Sequence, residues 1–298
     1  MTASTKKEKA REIRVTTNGL DFVCLSQGSG PLVLLVHGFP DIPQTWSAQM
    51  DALSAAGYQV VAPYLPGYLP STIHEDAFFD RASLVHYISG LIKTLSPAEK
   101  ITYIGQDWGA IIGYALAAAR PDLLSSAVVM AVPHPEIVFK YLLVPKHIHR
   151  SFHWWFFQQQ VLPENALMAD DMHFINYLWE YWTVPGYRDD NHIREVKQCL
   201  RRPGVLSNAL AYYRAMFDQE KQDASLQTLR SQFSNKIFTP TLALCGAEDM
   251  RAELMREQAE YFGGTYEYLE IPEAGHFLQR EQSQSVNEVL IEWLSKKF

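Results

Sequence analysis

Short runs of apolar and β-branched residues alternate along the chain with longer segments in which apolar residues recur at helical spacing. Leu32–Val36 is apolar at every position, as expected of a strand buried on both faces of a sheet. Seven further runs predict strands, at 13–16, 21–25, 58–62, 101–104, 127–132, 241–245 and 266–271. Helical patterns occupy 44–56, 81–95, 108–119, 250–262 and 281–297. After an opening hairpin at Asn18-Gly19, this alternation predicts an α/β fold with a mostly parallel eight-stranded sheet and helices on both faces.

The alternation stops between residues 134 and 238, where apolar residues keep helical spacing and no run is typical of a buried strand. The segment is rich in aromatic residues, among them Phe152, Trp154, Trp155, Phe156, Phe157, Trp179, Trp182, Tyr212 and Tyr213. We interpret it as a helical lid inserted after the sixth predicted strand and closing over the carboxyl ends of the sheet. The predicted organisation is therefore a core of residues 1–133 and 239–298, with a lid and linker at 134–238.

Composition narrows the classes of partner. A net charge of −7 argues against nucleic acid and anionic membranes, which favour basic surfaces. The sequence has no signal-peptide pattern and no run of about 18 apolar residues, so we expect a cytoplasmic protein that does not span a membrane. Its three cysteines lack metal-ligand spacing, and no glycine-rich phosphate loop is present, so we expect no metal or organic cofactor. Whether two chains form a homodimer is left open.

The pentapeptide Gly105-Gln106-Asp107-Trp108-Gly109 carries the most chemical information in the chain. It joins a predicted strand to a predicted helix, which is the layout of a nucleophile elbow with aspartate in the nucleophile position. A carboxylate is suited to displacement at a tetrahedral carbon, which gives an alkyl ester of its own side chain. The substrate expected from this chemistry has an electrophilic sp³ carbon, as in an epoxide or an alkyl halide. A serine-type esterase is excluded by the residue itself.

The same pentapeptide is also compatible with an ordinary strand-to-helix loop whose aspartate caps the helix, because glycine and aspartate are common in turns. The neighbouring motifs favour the catalytic interpretation. With the elbow, the order of strands and the lid together, the chain resembles the α/β-hydrolase fold along nearly its whole length. Within that fold it resembles the aspartate-nucleophile branch of epoxide hydrolases and their dehalogenase relatives.

Three groups near the elbow follow from this resemblance. His37-Gly38-Phe39-Pro40 matches a turn with a cis bond before the proline. The resemblance implies that the backbone N–H groups of Phe39 and Trp108 form the oxyanion hole, and that His37 holds the turn.

The resemblance also implies a base and an acid. His276, just after the last strand, would activate the hydrolytic water, although a loop histidine without a role is the alternative. Asp249, after the seventh strand, would be the acid that orients the His276 imidazole, and the adjacent Glu248 is the alternative residue for this role. Some relatives keep this acid after strand six, but here that segment has no acid before Glu136.

The lid supplies the remaining candidates. Ala211-Tyr212-Tyr213-Arg214 resembles the family segment in which the tyrosine before arginine hydrogen-bonds the epoxide oxygen, so Tyr213 takes that role and Tyr212 packs. A second lid tyrosine is usual in the family, but His153 stands at the matching position here. His153 is therefore expected to donate the second hydrogen bond, unless it is a structural histidine or the lid register differs.

The resemblance implies an epoxide hydrolase that opens a small apolar epoxide to a vicinal diol through an ester on Asp107. The pocket residues expected to line this substrate are Phe39, Trp108, Trp154 and Phe277. A dehalogenase acting by the same ester mechanism is the alternative, with Trp108 and one of Trp154, Trp155, Trp179 or Trp182 as halide donors. Fluoroacetate is disfavoured because the arginines expected after the nucleophile are absent. A catalytically silent binding protein is the remote third reading.

Overall fold

The computed structural model describes residues 9–296, so the outermost ends of both predicted core segments, residues 1–8 and 297–298, lie outside the described part. Nine strands form one sheet: β1 Arg11–Thr17, β2 Leu20–Gln27, β3 Leu32–Val36, β4 Gln59–Pro63, β5 Thr72–Ile73, β6 Ile101–Gln106, β7 Leu124–Met130, β8 Thr241–Gly246 and β9 Tyr266–Ile271. Their order is β1-β2-β4-β3-β6-β7-β8-β9, with β5 pairing against β2. The pairs β1–β2, β2–β4 and β2–β5 are antiparallel and all others are parallel. All eight predicted strands are present, and the two-residue β5 is too short to have left a pattern in the sequence.

Helices cover both faces of the sheet. Those of the core are α1 Ser47–Ala55, α2 Arg81–Leu95, α3 Trp108–Ala119, α12 Ala252–Met255, α13 Leu278–Glu281 and α14 Ser283–Ser295. One apolar cluster packs α2 and α3 against one face, and a second packs α1 and α14 against the other. No helix in residues 9–296 is long and apolar enough to cross a membrane.

Two predicted helices differ in the structure. The predicted helix 250–262 is two short pieces, α12 and a 3₁₀ turn at Gln258–Tyr261. The predicted helix 281–297 is broken at Gln282, whose φ of −131° and ψ of 53° are not helical. The break has a physical reason, because the Glu281 carboxylate accepts the backbone N–H groups of Gly275 and Phe277 and so ties the short α13 to the preceding loop.

Eight helices lie between β7 and β8, in the part of the chain interpreted as a lid. They are α4 Pro135–Lys140, α5 Pro145–Arg150, α6 Phe152–Phe156, α7 Leu162–Met168, α8 His173–Trp182, α9 Asp190–Leu200, α10 Val205–Phe217 and α11 Gln227–Arg230. Hydrogen bonds attach them to loops at one edge of the sheet: the Trp179 indole donates to the Pro40 carbonyl (3.1 Å), and the Tyr212 hydroxyl donates to the Pro66 carbonyl (2.7 Å).

That edge is where the carboxyl ends of the parallel strands meet. Val36 of β3 pairs with Gly105 of β6, so the turns that follow these two strands lie side by side. β7, β8 and β9 continue in parallel, so the loops after them open at the same edge. Ligands of open α/β sheets bind outside the carboxyl ends of the strands, and the candidate chemistry lies there.

Candidate active site

Asp107 occupies a strained turn between β6 and α3. Its φ of 54° and ψ of −117° are rarely adopted by residues other than glycine, which is typical of a functional turn. Gly105 and Gly109 make the turn possible: a Cβ at Gly105 would collide with the Gly109 carbonyl, and a Cβ at Gly109 with the Val36 carbonyl. The predicted elbow geometry is thus present, and the side chain of Asp107 does not cap α3, unlike the capping alternative.

His276 and Asp249 lie beside Asp107, as the sequence predicted. His276 Nδ1 donates to Asp249 Oδ2 at 3.0 Å, and Asp249 Oδ1 accepts the backbone N–H of Arg251 at 2.6 Å. The other imidazole nitrogen, Nε2, is 3.5 Å from Asp107 Oδ2, an ion-pair contact without the geometry of a hydrogen bond. Asp249 is buried, whereas the competing Glu248 is exposed.

The pKa of His276 reflects these two neighbours. Burial lowers this pKa, but the contacts with Asp107 and Asp249 and their negative charges outweigh burial and raise it to about 9. His276 is therefore protonated at neutral pH. Loss of the negative charge of Asp107 would remove one of the two influences that raise this pKa.

One backbone N–H group contacts the Asp107 carboxylate, and a second begins the helix that follows it. The Phe39 N–H donates to Asp107 Oδ1 at 2.8 Å, and the bond between Phe39 and Pro40 is cis. Trp108 is the first residue of α3, where a backbone N–H has no partner within the helix. His37 lies beneath this turn, with Nδ1 bonded to the Gly38 carbonyl and Nε2 to the Leu65 N–H, so both nitrogens serve structure.

Tyr213 of α10 and His153 of α6 belong to the inserted helices, and the Tyr213 ring packs edge-on against the rings of Phe39 and Trp108, the residues beside Asp107. The Tyr213 hydroxyl is buried and has no hydrogen-bond partner among residues 9–296. Burial, followed by the charge of Asp107, raises the pKa of Tyr213 well above its usual value, and the nearby Trp108 indole opposes the rise only in part. Tyr213 therefore stays protonated and can donate. The Tyr212 hydroxyl, by contrast, donates its hydrogen bond to the Pro66 carbonyl.

His153 packs edge-on against Tyr213, with ring centroids 5.7 Å apart. Its Nδ1 also has no hydrogen-bond partner within the described chain. Burial lowers the pKa of His153 well below its ordinary value, and the positive charges of Arg251 and His276 lower it further. It is therefore a neutral imidazole at physiological pH, able to donate one hydrogen bond if the proton resides on Nδ1.

Two positioning residues were not foreseen from the sequence. Glu281 accepts the N–H groups of Gly275 and Phe277, which flank His276, and that of Val184 at the end of α8. It thus joins the loop that carries His276 to the inserted helices. Arg251 packs over the Trp154 ring and donates to Ser151 Oγ, and its charge acts on His153. In the sequence, these two residues could have been recognised only by their spacing: Glu281 lies five positions after His276, and Arg251 lies two positions after Asp249.

A cavity with an empty volume of about 670 Å³, part of it open to solvent, adjoins the site. Trp108 and Trp154, two of the four residues expected to contact substrate, line it together with Ile111, Val132 and Met216. Asp107, Tyr213 and His276 are not on its wall, but the Trp108 ring, which borders the cavity, also contacts Tyr213. Phe39 and Phe277 do not line it: Phe277 is fully buried and stacks on Trp179 at 3.7 Å, and Phe39 packs against Phe157 and Tyr213.

Comparison with known proteins agrees with this architecture. Residues 31–282 match the α/β hydrolase fold family, and the chain belongs to that family. It is 28% identical over 289 residues to AB hydrolase superfamily protein YfhM of Bacillus subtilis, covering 95% of this chain and 97% of that protein. It is 28% identical over 297 residues to human epoxide hydrolase 4, and the alignment covers 96% of this chain and 78% of that protein. The crystal structure of epoxide hydrolase A from Mycobacterium thermoresistibile superposes with a TM-score of 0.80 at 27% identity, over 96% and 98% of the two chains.

The predicted α/β-hydrolase fold is therefore confirmed, and relatives aligned over nearly the whole chain support the predicted resemblance to epoxide hydrolases. The roles of individual residues rest on the geometry of the site.

Proposed function

We propose that this protein is an epoxide hydrolase that opens its substrate through a covalent ester on Asp107. The observation that carries the proposal is that Asp107 lies among two sets of groups. The Phe39 N–H and the His276–Asp249 pair form the first set. The second set is the Tyr213 hydroxyl and His153 Nδ1, which have no hydrogen-bond partner among the described residues. Such an arrangement provides a nucleophile, a base and donors for a leaving oxygen in one enclosed site.

In the first step, the ionised Asp107 carboxylate forms a C–O bond to one epoxide carbon, and the bond from that carbon to the ring oxygen breaks. The ring oxygen takes the electron pair and becomes an alkoxide. Tyr213 donates a hydrogen bond and then a proton to it, with His153 as the second donor. Because Tyr213 is protonated and uncommitted, it loses no existing hydrogen bond when it turns to the substrate.

In the second step, water attacks the carbonyl carbon of the Asp107 ester. Ester formation has removed the negative charge that helps to hold a proton on His276, so the imidazolium gives this proton up and the phenolate of Tyr213 regains one. The neutral imidazole can then take a proton from the attacking water. The N–H groups of Phe39 and Trp108 stabilise the oxyanion of the tetrahedral intermediate, and Asp249 stabilises the imidazolium. When the intermediate collapses, the bond between the Asp107 carbonyl carbon and the diol oxygen breaks, and that oxygen takes the proton of the new carboxyl group. A vicinal diol leaves, the Asp107 carboxylate is regenerated, and His276 keeps the proton taken from water.

A dehalogenase is the second candidate, because the indole N–H groups of Trp108 and Trp182 are both buried without partners among the described residues. Trp182 packs against His276 and His153, so both indoles border the site and have the donors that a halide needs. Trp179, one of the other donors considered from the sequence, is committed to the Pro40 carbonyl. The uncommitted hydroxyl of Tyr213 favours the epoxide, since an alkoxide requires a proton and a halide does not.

The test is a single-turnover reaction in H₂¹⁸O, with enzyme in excess over styrene oxide. We expect the first diol to contain ordinary oxygen taken from Asp107, while heavy oxygen enters the Asp107 carboxyl during hydrolysis of the ester. Mass spectrometry of the diol and of the peptide containing Asp107 measures both. Heavy oxygen in the first diol would show direct attack by water and contradict the ester mechanism. A bromoalkane tested in parallel, with release of bromide and no turnover of styrene oxide, would select the dehalogenase.

Tyr213→Phe should reduce kcat for styrene oxide by roughly 10- to 100-fold, because it removes one of two donors to the developing alkoxide. Tyr212→Phe is the matched control: it removes the hydroxyl of the adjacent tyrosine, which bonds the Pro66 carbonyl. We expect Tyr212→Phe to retain kcat and to lose about 1 kcal/mol of stability. Equal rates for Tyr213→Phe and the unaltered protein, measured by diol formation, would remove Tyr213 from the mechanism.

A further inference from the structure

The cavity beside Trp108 is apolar along most of its wall and basic at one end. Its apolar part is formed by residues of α3, α4 and α10 and by the segment after β7, including Ile111, Val138 and Met216. The polar residues are Asp80, Arg81, Gln222 and Arg230. Asp80 caps the amino end of α2, Arg81 is its first residue, and Arg230 bonds Asp80, so the charged groups are clustered rather than scattered.

Within this cluster, Asp80 is fully committed to the protein. Its Oδ1 accepts the Ala82 N–H and an Arg230 N–H, and its Oδ2 accepts the Ser83 hydroxyl and the Asp223 N–H. The carboxylate is buried, and its negative charge is paired with Arg230 at 2.9 Å.

Arg81 has no such partner. No carboxylate oxygen lies within 4.0 Å of its guanidinium in residues 9–296, and its side chain makes no hydrogen bond there. Among the described residues, its guanidinium carbon lies over the face of the Phe233 ring, 4.7 Å from the ring centroid. Glu136, the acidic residue whose charge acts most on Arg81, is exposed and makes no ion pair with it. A half-buried guanidinium without a counter-ion is costly, and its five donors suit bidentate binding of a carboxylate.

We propose that Arg81 binds a carboxylate at the far end of the substrate, so that the preferred substrate is an epoxide joined to a carboxylate through an apolar chain. This inference rests on the proposed function and refines the expected apolar substrate by adding one anionic end. The apolar wall contacts the chain, and the epoxide reaches Asp107 past the Trp108 indole, which borders both the cavity and Tyr213. A bidentate pair with a carboxylate fixes which end of the molecule enters the catalytic site.

The test compares the epoxide of undecylenic acid with the epoxide of its methyl ester, which differs only in the charge at the far end. For the unaltered protein we expect kcat/KM to be roughly 10- to 100-fold higher for the acid, the range given by a charged hydrogen bond. Arg81→Met should remove this preference and leave turnover of the methyl ester within about twofold. Retained ester turnover also shows that the variant is folded.

Arg81→Lys keeps the positive charge but lacks the paired N–H donors of the guanidinium. It should therefore show part of the preference for the acid over the methyl ester. Glu136→Gln is the matched control: it removes the neighbouring acid without touching the guanidinium, and should preserve or increase the preference for the acid. Equal kcat/KM for acid and ester in the unaltered protein, or an equal loss for both in Arg81→Met, would overturn the proposal.

Calorimetric binding of undecanoate, which has no epoxide, separates the anion site from the catalytic activity. We expect undecanoate to bind the unaltered protein and undecanol to bind far more weakly, with the difference lost in Arg81→Met. If undecanoate binds in this way but neither epoxide is opened, the anion site stands and the epoxide hydrolase assignment fails. Equal binding of undecanoate and undecanol would contradict the role of Arg81 whatever the activity.

Discussion

Asp107→Asn should lower diol formation by on the order of 10⁴-fold or more, because the amide cannot displace an epoxide oxygen. Asparagine is the informative replacement, since it has the same shape, tolerates the positive φ of 54° at this position and keeps an oxygen for the Phe39 N–H. The expected loss is therefore chemical rather than structural. Initial rates of diol formation measure it, and the intact mass must show that the amide has not reverted to the acid. Substantial turnover by a protein that still carries the amide would exclude the whole mechanism.

The same variant has a second expected effect, on the protonation of His276. Burial lowers the pKa of His276, while Asp107 and Asp249 together raise it to about 9. Replacing the Asp107 charge by a neutral amide removes one of the two raising influences, so the pKa must fall. The imidazole, charged at neutral pH in the unaltered protein, then loses its proton at a lower pH. An NMR titration of the His276 ring in both proteins measures the shift, and an unchanged pKa would mean that Asp107 does not control the base.

This coupling orders the two chemical steps. Before the ester forms, His276 is an imidazolium and cannot take a proton from water, whereas Asp107 needs no base to act as the nucleophile. The Asp107→Asn variant is a fair electrostatic model of the ester intermediate, because neither the amide nor the ester has the negative charge of the carboxylate. The base therefore becomes active only when there is an ester to hydrolyse.

The elbow could be predicted from the sequence because it is fixed by local chain geometry. Gly105 and Gly109 are required by a turn in which any Cβ would strike a carbonyl, and the neighbouring apolar runs fix which end of the sheet the turn occupies. The roles of Asp249 and His276 came from the resemblance to epoxide hydrolases. Their proximity follows from the order of the strands, because they lie in the loops after the adjacent parallel strands β8 and β9.

Features that depend on packing between distant segments could not be predicted in the same way. Phe277 looked like a pocket residue because it follows His276, but it is stacked on Trp179 from α8 and fully buried. The unpaired state of Arg81 is equally invisible in sequence, because Asp80 is adjacent to it and is the obvious partner. Only the fold shows that Arg230, 150 residues away, takes that carboxylate instead.

His276→Gln should stop the reaction at the ester and accumulate a covalent adduct on Asp107. Glutamine retains polar atoms near the position of the imidazole but cannot accept a proton from water at neutral pH, so the second step loses its base while the first keeps its nucleophile. Intact mass after incubation with styrene oxide should increase by the mass of the whole epoxide, and digestion should place the adduct on the peptide containing Asp107. A bromoalkane would instead add only its alkyl group and release bromide.

The control is the double variant Asp107→Asn/His276→Gln, which should form no adduct. Asp249→Asn offers a graded comparison, because it leaves the imidazole in place but removes the carboxylate that orients Nδ1 at 3.0 Å. We expect it to slow hydrolysis of the ester less than His276→Gln does, so that turnover continues with part of the enzyme present as the alkyl ester on Asp107. An adduct located on any residue other than Asp107 would show that the reacting carboxylate has been misassigned. Full turnover by His276→Gln would show that another group activates the water.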